Sequence, residues 1–472
     1  MINQAIVRLK ALAVIGDCPA LKIALNFIGH NGYNCCFFCY IRGTHQGGKR
    51  QYPYEHTCRM RSADQFCQDA ATAARCGRNE QGHLGVSAFS RLLDIQLPHS
   101  VLIDYAHVTL LRHAKSIFLD LYQRLRPADR HDCNAALFEQ AFPHFSHRRM
   151  KPFSEFSFVK ATEVRNILFY GFLPICHRRF SVDIIGHFCL LVCGIRLLHG
   201  SPILGQRTAS IANKLLIQYY QDFGKFYSAL ENFVLHLHHH YVDQYERFGS
   251  FSHLGSFGQE SLIGYVSSNH KGTRYHGDLI SQNYTFDFLL HHQLETIDPS
   301  SLTHDGPFDK DTNFDFTSYD VFMNFHDFQD TGSSSDSNLV AFRRCRIRQH
   351  IYHSLQYKRC NKSASYIIRF RQTDDSDDYA FGNVIVFFTS GNCTYALVQK
   401  YSIHFLFSDL LRLSPYHQLL SEPINHFFHV LSKHSSSGYE CIQISRIIDH
   451  CILFDCLDYF IITTVSSYDE HD

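Results

Sequence analysis

VIGDCPALKIAL, residues 14–25, decides how this chain is read, because it sets one carboxylate, Asp17, between an apolar run and a proline. Residues 10–16 read as a strand running into the turn Gly16-Asp17-Cys18-Pro19. Proline removes a backbone donor and disfavours helix in the residue before it, so the strand ends there and a helix can start behind it. An aspartate in such a turn is commonly a turn former. Two later acids give it a second reading. Asp104 lies in VLIDYAH, at the end of a second expected strand over 101–105 and three residues before His107. Glu260 lies in FGQESLIGYVSS, at the start of an expected helix. Carboxylates at strand ends and a helix start are how α/β nucleases gather two divalent ions, about 4 Å apart, around a phosphodiester.

The bulk of the sequence sets wide bounds. A chain of 472 residues can bury a large core, and 45% hydrophobic and 14% aromatic residues are the composition of a folded protein. Lysine plus arginine equals aspartate plus glutamate at 44 each, so any surface attracting polyanions must be local. The opening MINQAIVRLKALAVIG is too polar for a secretory leader, and with 17 cysteines the expectation is a reducing nuclear or cytoplasmic compartment. The longest apolar stretches, residues 188–198 and 451–465, are each interrupted by a charge and fall short of a bilayer span, so no membrane partner is expected.

Behind Asp17 comes a Gly/Asn/Cys-rich knuckle, GHNGYNCCFFCYIRG (29–43). From Ser62 to Gly249 the apolar spacing is mostly helical, and SADQFCQDAATAARCG carries a serine cap and a glycine stop. Residues 286–340 read as an acidic Ser/Gly/Asp-rich linker. Residues 341–472 read as a small β-rich C-terminal domain, with strands expected in SYIIRFR, NVIVFFTS, CTYALVQK and CIQISRII and turns in TDDSDD and SGN.

The motif order resembles the transposases of CACTA (En/Spm-like) DNA elements, animal type, over about residues 11–285. GDCPA followed by HNGYNCCFFC resembles the family's D-x-P-A and glycine-rich C-x-x-C loop. IDYAH resembles its D-x-M-H, with Ala106 in place of methionine. VKATEVRNILFYG resembles its K-A-x-E-x-R helix through Lys160, Ala161, Glu163 and Arg165. HLHHHYVDQYERFGSFSHLGSFGQESLIG resembles its last block through His236, His240, Asp243, Gly249, Phe257 and Glu260, with Gln259 replacing a phenylalanine.

The resemblance implies an α/β plus α fold: a partial ribonuclease-H-like core, its remnant with the Cys-rich loop in residues 1–61, and a large helical insertion with the end of the core in 62–285. It further implies that Asp17 is the second aspartate of a DDE triad, that Glu260 is its glutamate, and that both hold Mg²⁺. Asp104 and His107 become an accessory D-x-x-H pair, and DNA becomes the partner, with a homo-oligomer in view. The family's first aspartate precedes Asp17 by several strands, whereas sixteen residues precede Asp17 here. The expectation is therefore an amino-terminally truncated transposase fragment, inactive by itself. The competing readings are a catalytically dead nucleic-acid-binding or scaffold protein, and an unrelated zinc-binding protein.

Cys36 and Cys39 have the two-thiolate spacing of a tetrahedral Zn²⁺ site, which His30, His45, His56 or Cys58 could complete; the alternative is free buried thiols. Cys18 and Cys35 read as core. His236 and His240 are four apart on one helix face, a spacing that can hold metal, but without the glutamate of H-E-x-x-H they exclude a zinc peptidase. They are expected to hydrogen-bond near the Glu260 helix or to pack in the insertion. The basic run FRRCRIRQH (342–350) reads as a solvated helix face whose field the acidic linker offsets, or as a phosphate contact.

Overall fold

The computed structural model describes residues 10–146, 148–228, 230–268, 276–295, 305–322, 339–358, 363–374 and 378–465. The protein is mixed α and β, with a helical body followed by a β-rich C-terminal part.

The opening stretch folds largely as its chemistry dictates. Strand β1 covers Val14–Gly16, shorter than expected, and the helix Cys18–Ala24 follows with Asp17 as its cap and Pro19 in its first turn. Two short strands, β2 (Thr44–Gln46) and β3 (Lys49–Gln51), make a hairpin over Gly47-Gly48, where φ of 55° and 76° demands glycine. Strand β4 (Val101–Ile103) pairs with β1 in parallel, placing Val14 opposite Val101 and Gly16 opposite Ile103. Asp17 and Asp104 thus leave the same end of the pair. Among the described residues this sheet has two strands.

From Ala63 to Phe248 the regular elements among the described residues are helices apart from β4. The Ala63–Cys76 helix starts on Ser62, whose hydroxyl accepts from Gln65 N, and stops at Gly77, with φ of 61°. The helix Val182–His199 is long and apolar enough to cross a bilayer, yet 83% of that window lies inside the protein. It is the central core helix, lying against the helix Thr208–Phe226.

The C-terminal part is a nine-stranded sheet: β5 (Gly306–Asp311), β6 (Val340–Ile347), β7 (His350–His353), β8 (Ile367–Arg371), β9 (Tyr379–Ser390), β10 (Cys393–Leu406), β11 (Phe428–Gln443), β12 (Ile447–Asp455) and β13 (Tyr459–Thr464). Its pairings run β10–β11–β13–β12–β8–β9 and return to β10, so six antiparallel strands close a ring. Closure removes exposed strand edges. Two expectations are corrected here. The basic run 342–350 is strand and turn, not helix, because β6 pairs with β5, which supplies Asp309 and Asp311 to Arg344 and Arg343 at 3.2 and 2.8 Å. The segment 286–340 is accordingly not all linker: it contains β5 and the end of the helix His276–Glu295. Residues 330–338 of its Ser/Asp-rich stretch, and residues 375–377 of the TDDSDD turn, lie outside the described residues.

One apolar core runs through both parts, joining Phe188 and Leu191 of the central helix to Val430, Ile452 and Ile461 of the sheet. Arg196 crosses this seam. Its guanidinium donates to Phe169 O at 2.9 Å, Thr463 Oγ1 at 3.0 Å and Thr464 O at 3.1 Å, and lies over the Phe427 ring. Burial pulls its pKa down to about 10.

Candidate functional site

Two clusters occupy the body. The first begins at the knuckle. Residues 36–41 turn back against 59–61 through Tyr40 N to Arg59 O and Arg61 N to Phe38 O, at 2.9 and 2.8 Å. Arg61 lies fully buried beneath it and donates Nε to Cys39 O (3.1 Å) and Nη2 to Gln81 O (2.6 Å), facing Asp69 at 3.5 Å. That scaffolding presents Cys36 and Cys39 inward. The short helix Phe233–Leu237, capped by Asn232, and the turn His238–His240 bring His236 and His240 onto the two sulfurs. Cys36 Sγ is 3.3 Å from His236 Nε2 and 3.4 Å from His240 Nε2; Cys39 Sγ is 3.2 Å from His236 Nε2. All four are buried, and their ligand atoms lie within 4.8 Å of one another.

The donor set fits a metal ion. Two thiols and two imidazoles converging from separate segments are the composition of a closed tetrahedral zinc site. Tyr220 OH lies 3.3 Å from His236 Nδ1 and orients that ring, as outer partners do at metal histidines. Burial by itself would raise the Cys36 thiol, but Cys39 and the two imidazoles draw it well below its ordinary value. Cys39 is held up as the donor to Cys36 and Cys58, and burial lowers His236, leaving it a neutral ligand. The cluster could therefore hold a metal such as zinc. This corrects the expected completion: His30 and His45 line a cleft elsewhere, His56 is exposed against Tyr54, and Cys58 stands beside Cys39 outside the four. His236 and His240 face the knuckle and not the Glu260 helix.

The second cluster lies at the ends of β1 and β4. Asp104 is 1% exposed and uses both oxygens: Oδ1 accepts from Ala106 N at 3.1 Å, and Oδ2 accepts from His107 Nδ1 at 2.7 Å and from the Ser256 hydroxyl. Ser256 Oγ also lies 3.1 Å from Glu260 Oε1, so its single proton is shared between the two carboxylates, and His107 Nε2 lies 3.8 Å from the same oxygen. Burial would raise Asp104, but hydrogen bonds from His107 and Ser256 bring it below the usual carboxylate range. His107 is raised by its bond to Asp104, with the charges of Asp104, Glu260 and Asp17 adding to it. Asp17 caps its helix through Oδ1 to Ala20 N at 2.8 Å and lines the same cleft as His107. His107 is the link among the four positions singled out from sequence: it bonds Asp104, lies 3.8 Å from Glu260 and shares a cleft with Asp17, whose charge acts on it. Ser256, which ties Asp104 to Glu260, carries no motif signal and was not anticipated.

For magnesium the fit is narrower. Among the described residues Asp17 and Glu260 each have one oxygen with a protein partner and a second without one, whereas Asp104 has both engaged. Among the described residues these acids do not bring three ligand atoms within 4.8 Å of one another. Two carboxylates are enough only for an ion that takes the rest of its shell from water and phosphate, which is how Mg²⁺ is commonly held. Cys18, beside Asp17, is pushed up to about 11 by burial and is no nucleophile at neutral pH. Compared with known proteins, the chain matches no protein-family model, no curated protein and no solved structure.

Proposed function

We propose that this chain is a nucleic-acid-binding protein of DDE-transposase type, in which Asp17 and Glu260 face a DNA phosphodiester and the Cys36–Cys39–His236–His240 centre, holding zinc, fixes the surrounding fold. The observation that carries this reading is that His107, from the end of β4, bonds Asp104, lies 3.8 Å from Glu260 of a helix far along the chain, and shares a cleft with Asp17 from the end of β1. A ribonuclease-H-like ancestry accounts for a parallel strand pair with acids at one end, and belongs to the same proposal.

The chain's own residues divide the work. Asp17 and Glu260 would hold Mg²⁺, which when bound supplies Lewis-acid stabilisation of charge on phosphate oxygens. His107, whose pKa the bond to Asp104 raises, lies 3.8 Å from Glu260 and lines the cleft with Asp17. Asp104 positions His107 and Ser256 and has no oxygen left for a ligand. Asp17 is the carboxylate in the cleft lining and Glu260 stands beside His107; without a third available carboxylate the chain binds DNA in a magnesium-assisted way and does not cleave it.

The test is DNA binding by the full chain with and without Mg²⁺. Magnesium should tighten binding, and Asp17→Asn or Glu260→Gln should abolish that response. An equal Mg²⁺ response in wild type and both variants would refute the assignment. Mg²⁺-dependent nicking, lost in both variants, would correct it upward to a nuclease.

A further inference from the structure

The cleft beside Asp17 and His107 has a volume of about 620 Å³ and a wall that the acidic residues leave unexplained. The β2–β3 hairpin contributes His45, Lys49 and Arg50 to it, and the helix following β4 contributes Arg112 from the other side. Against these three permanent cations the lining holds one carboxylate, Asp17. The chain as a whole is neutral, so this is a local concentration of positive charge.

These cations are not spent on protein acids. Among the described residues no carboxylate forms an ion pair with Lys49, Arg50 or Arg112, although arginines elsewhere, such as Arg343 and Arg369, are paired at Asp311 and Asp449. Arg50 is preorganised: its guanidinium lies over the Tyr33 ring at 3.4 Å, Nε donates to Asn31 O at 3.4 Å, and the buried Nη1 has no partner among the described residues. A buried guanidinium N–H without an acceptor is costly to leave unmet and is a ready donor for an anion. Lys49 and Arg112 are exposed. Asn31, Asn232 and Ser116 add neutral polar groups along the same wall.

The hairpin is also anchored. Gly43, at its base, has no room for a side chain, since a Cβ there would lie 2.7 Å from Arg50 and 2.8 Å from Tyr52. Tyr52, which ends the hairpin, is fully buried, meets Cys35 Sγ at 2.8 Å and accepts at its carbonyl from Tyr220, the tyrosine that also meets His236. A cation-bearing hairpin fastened next to the metal centre can hold an extended polyanion at a set height over Asp17.

Resting on the reading of Asp17 and Glu260 as facing a phosphodiester, we propose that Lys49, Arg50 and Arg112 grip the phosphates flanking it, so that a DNA strand runs between the β2–β3 hairpin and the helix carrying Arg112. Phosphate contacts of this kind position a strand without reading its sequence.

The experiment is fluorescence anisotropy on the full chain with a labelled duplex DNA, the matching single strand and an RNA of the same sequence, over a salt series. The double variant K49E/R112E should bind DNA at least about tenfold more weakly, with the same loss for any DNA sequence. The plot of log affinity against log salt should become shallower by about 1.8, at ~0.9 per lost duplex contact. K214E, on an exposed face outside the cleft, should leave both unchanged, and matching thermal melts would establish that all variants fold. Unchanged affinity and slope in K49E/R112E would overturn the proposal, as would an equal loss in K214E or binding of RNA only. The Mg²⁺ response separates the two readings: variants that keep that response while ignoring K49E/R112E refute the wall alone, and a strong K49E/R112E effect without any Mg²⁺ response refutes the metal-facing role of Asp17 and Glu260 alone.

Discussion

His240 Nε2 lies 3.4 Å from Cys36 Sγ, joining two buried residues 204 positions apart in the sequence. That contact closes the long helical excursion of the chain back onto its opening knuckle. On the far side of the same ring, His240 Nδ1 is buried with no hydrogen-bond partner among the described residues.

The purified protein should carry one zinc ion per chain by elemental analysis. Cys36→Ser and His240→Ala should each remove it, while Cys189→Ser, a buried thiol of the central helix, should retain it. Because the site forms only in the folded state, zinc at a hundred times its dissociation constant adds about 2.7 kcal/mol of stability, which a chelator should take away in a thermal melt. Binding should release protons, since Cys39 has to give up its thiol hydrogen. Full zinc content in Cys36→Ser would defeat the assignment.

The Asp104–His107 pair should give stability a bounded pH window. Asp104 is lowered in the folded state, so its contribution is present above the ordinary aspartate value of about 3.9 and is lost as pH falls through the folded value. His107 is raised, so its contribution is complete below the ordinary histidine value of about 6.5 and is lost as pH rises through the folded value. Asp104→Asn should cost about 2 kcal/mol near pH 6. In the same variant the His107 titration, followed by NMR, should move downward; an unmoved titration would show that Asp104 is not its cause.

Arg61 should matter more than any exposed arginine. Replacing it with alanine removes the cation facing buried Asp69, which keeps Tyr40 and Gln65, and frees Cys39 O and Gln81 O, at a cost of about 3–5 kcal/mol in chemical denaturation. Arg61→Lys should recover little, because a lysine cannot reach Cys39 O, Gln81 O and Asp69 together. Zinc content should fall in the alanine variant, since the carbonyl that Arg61 holds lies between the ligands and the chain that supports them.

At the seam, Arg196→Met should cost about 2–4 kcal/mol by leaving Phe169 O and Thr464 O without donors. Because one core runs through the seam, hydrogen exchange should quicken on both sides, in the central helix and in β13. Acceleration limited to one side would mean that the body and the sheet unfold independently.

Short-range features of this protein were legible in its residues. Pro19 and Asp17 mark the start of the first helix, Ser62 and Gly77 bracket the next, and the short β-branched and aromatic runs NVIVFFTS and CTYALVQK, bounded by the turn SGN, are strands, because caps, breakers and strand propensity act within a few positions. The run FRRCRIRQH was misread for the converse reason. Its arginines suit a helix face, and it is strand only because Gly306–Asp311 pairs with it and supplies the acids. The metal centre is the sharpest case. C-x-x-C and H-x-x-x-H are each half of a tetrahedral set, and that shared incompleteness was the available signal. Nothing local says that one half completes the other, since ligand choice is decided by which segments the folded helical body carries into contact. Likewise, four acid and histidine positions could be singled out from the sequence, but only the tertiary structure leaves Asp17 and Glu260 with a free oxygen each and spends both of Asp104 on its neighbours.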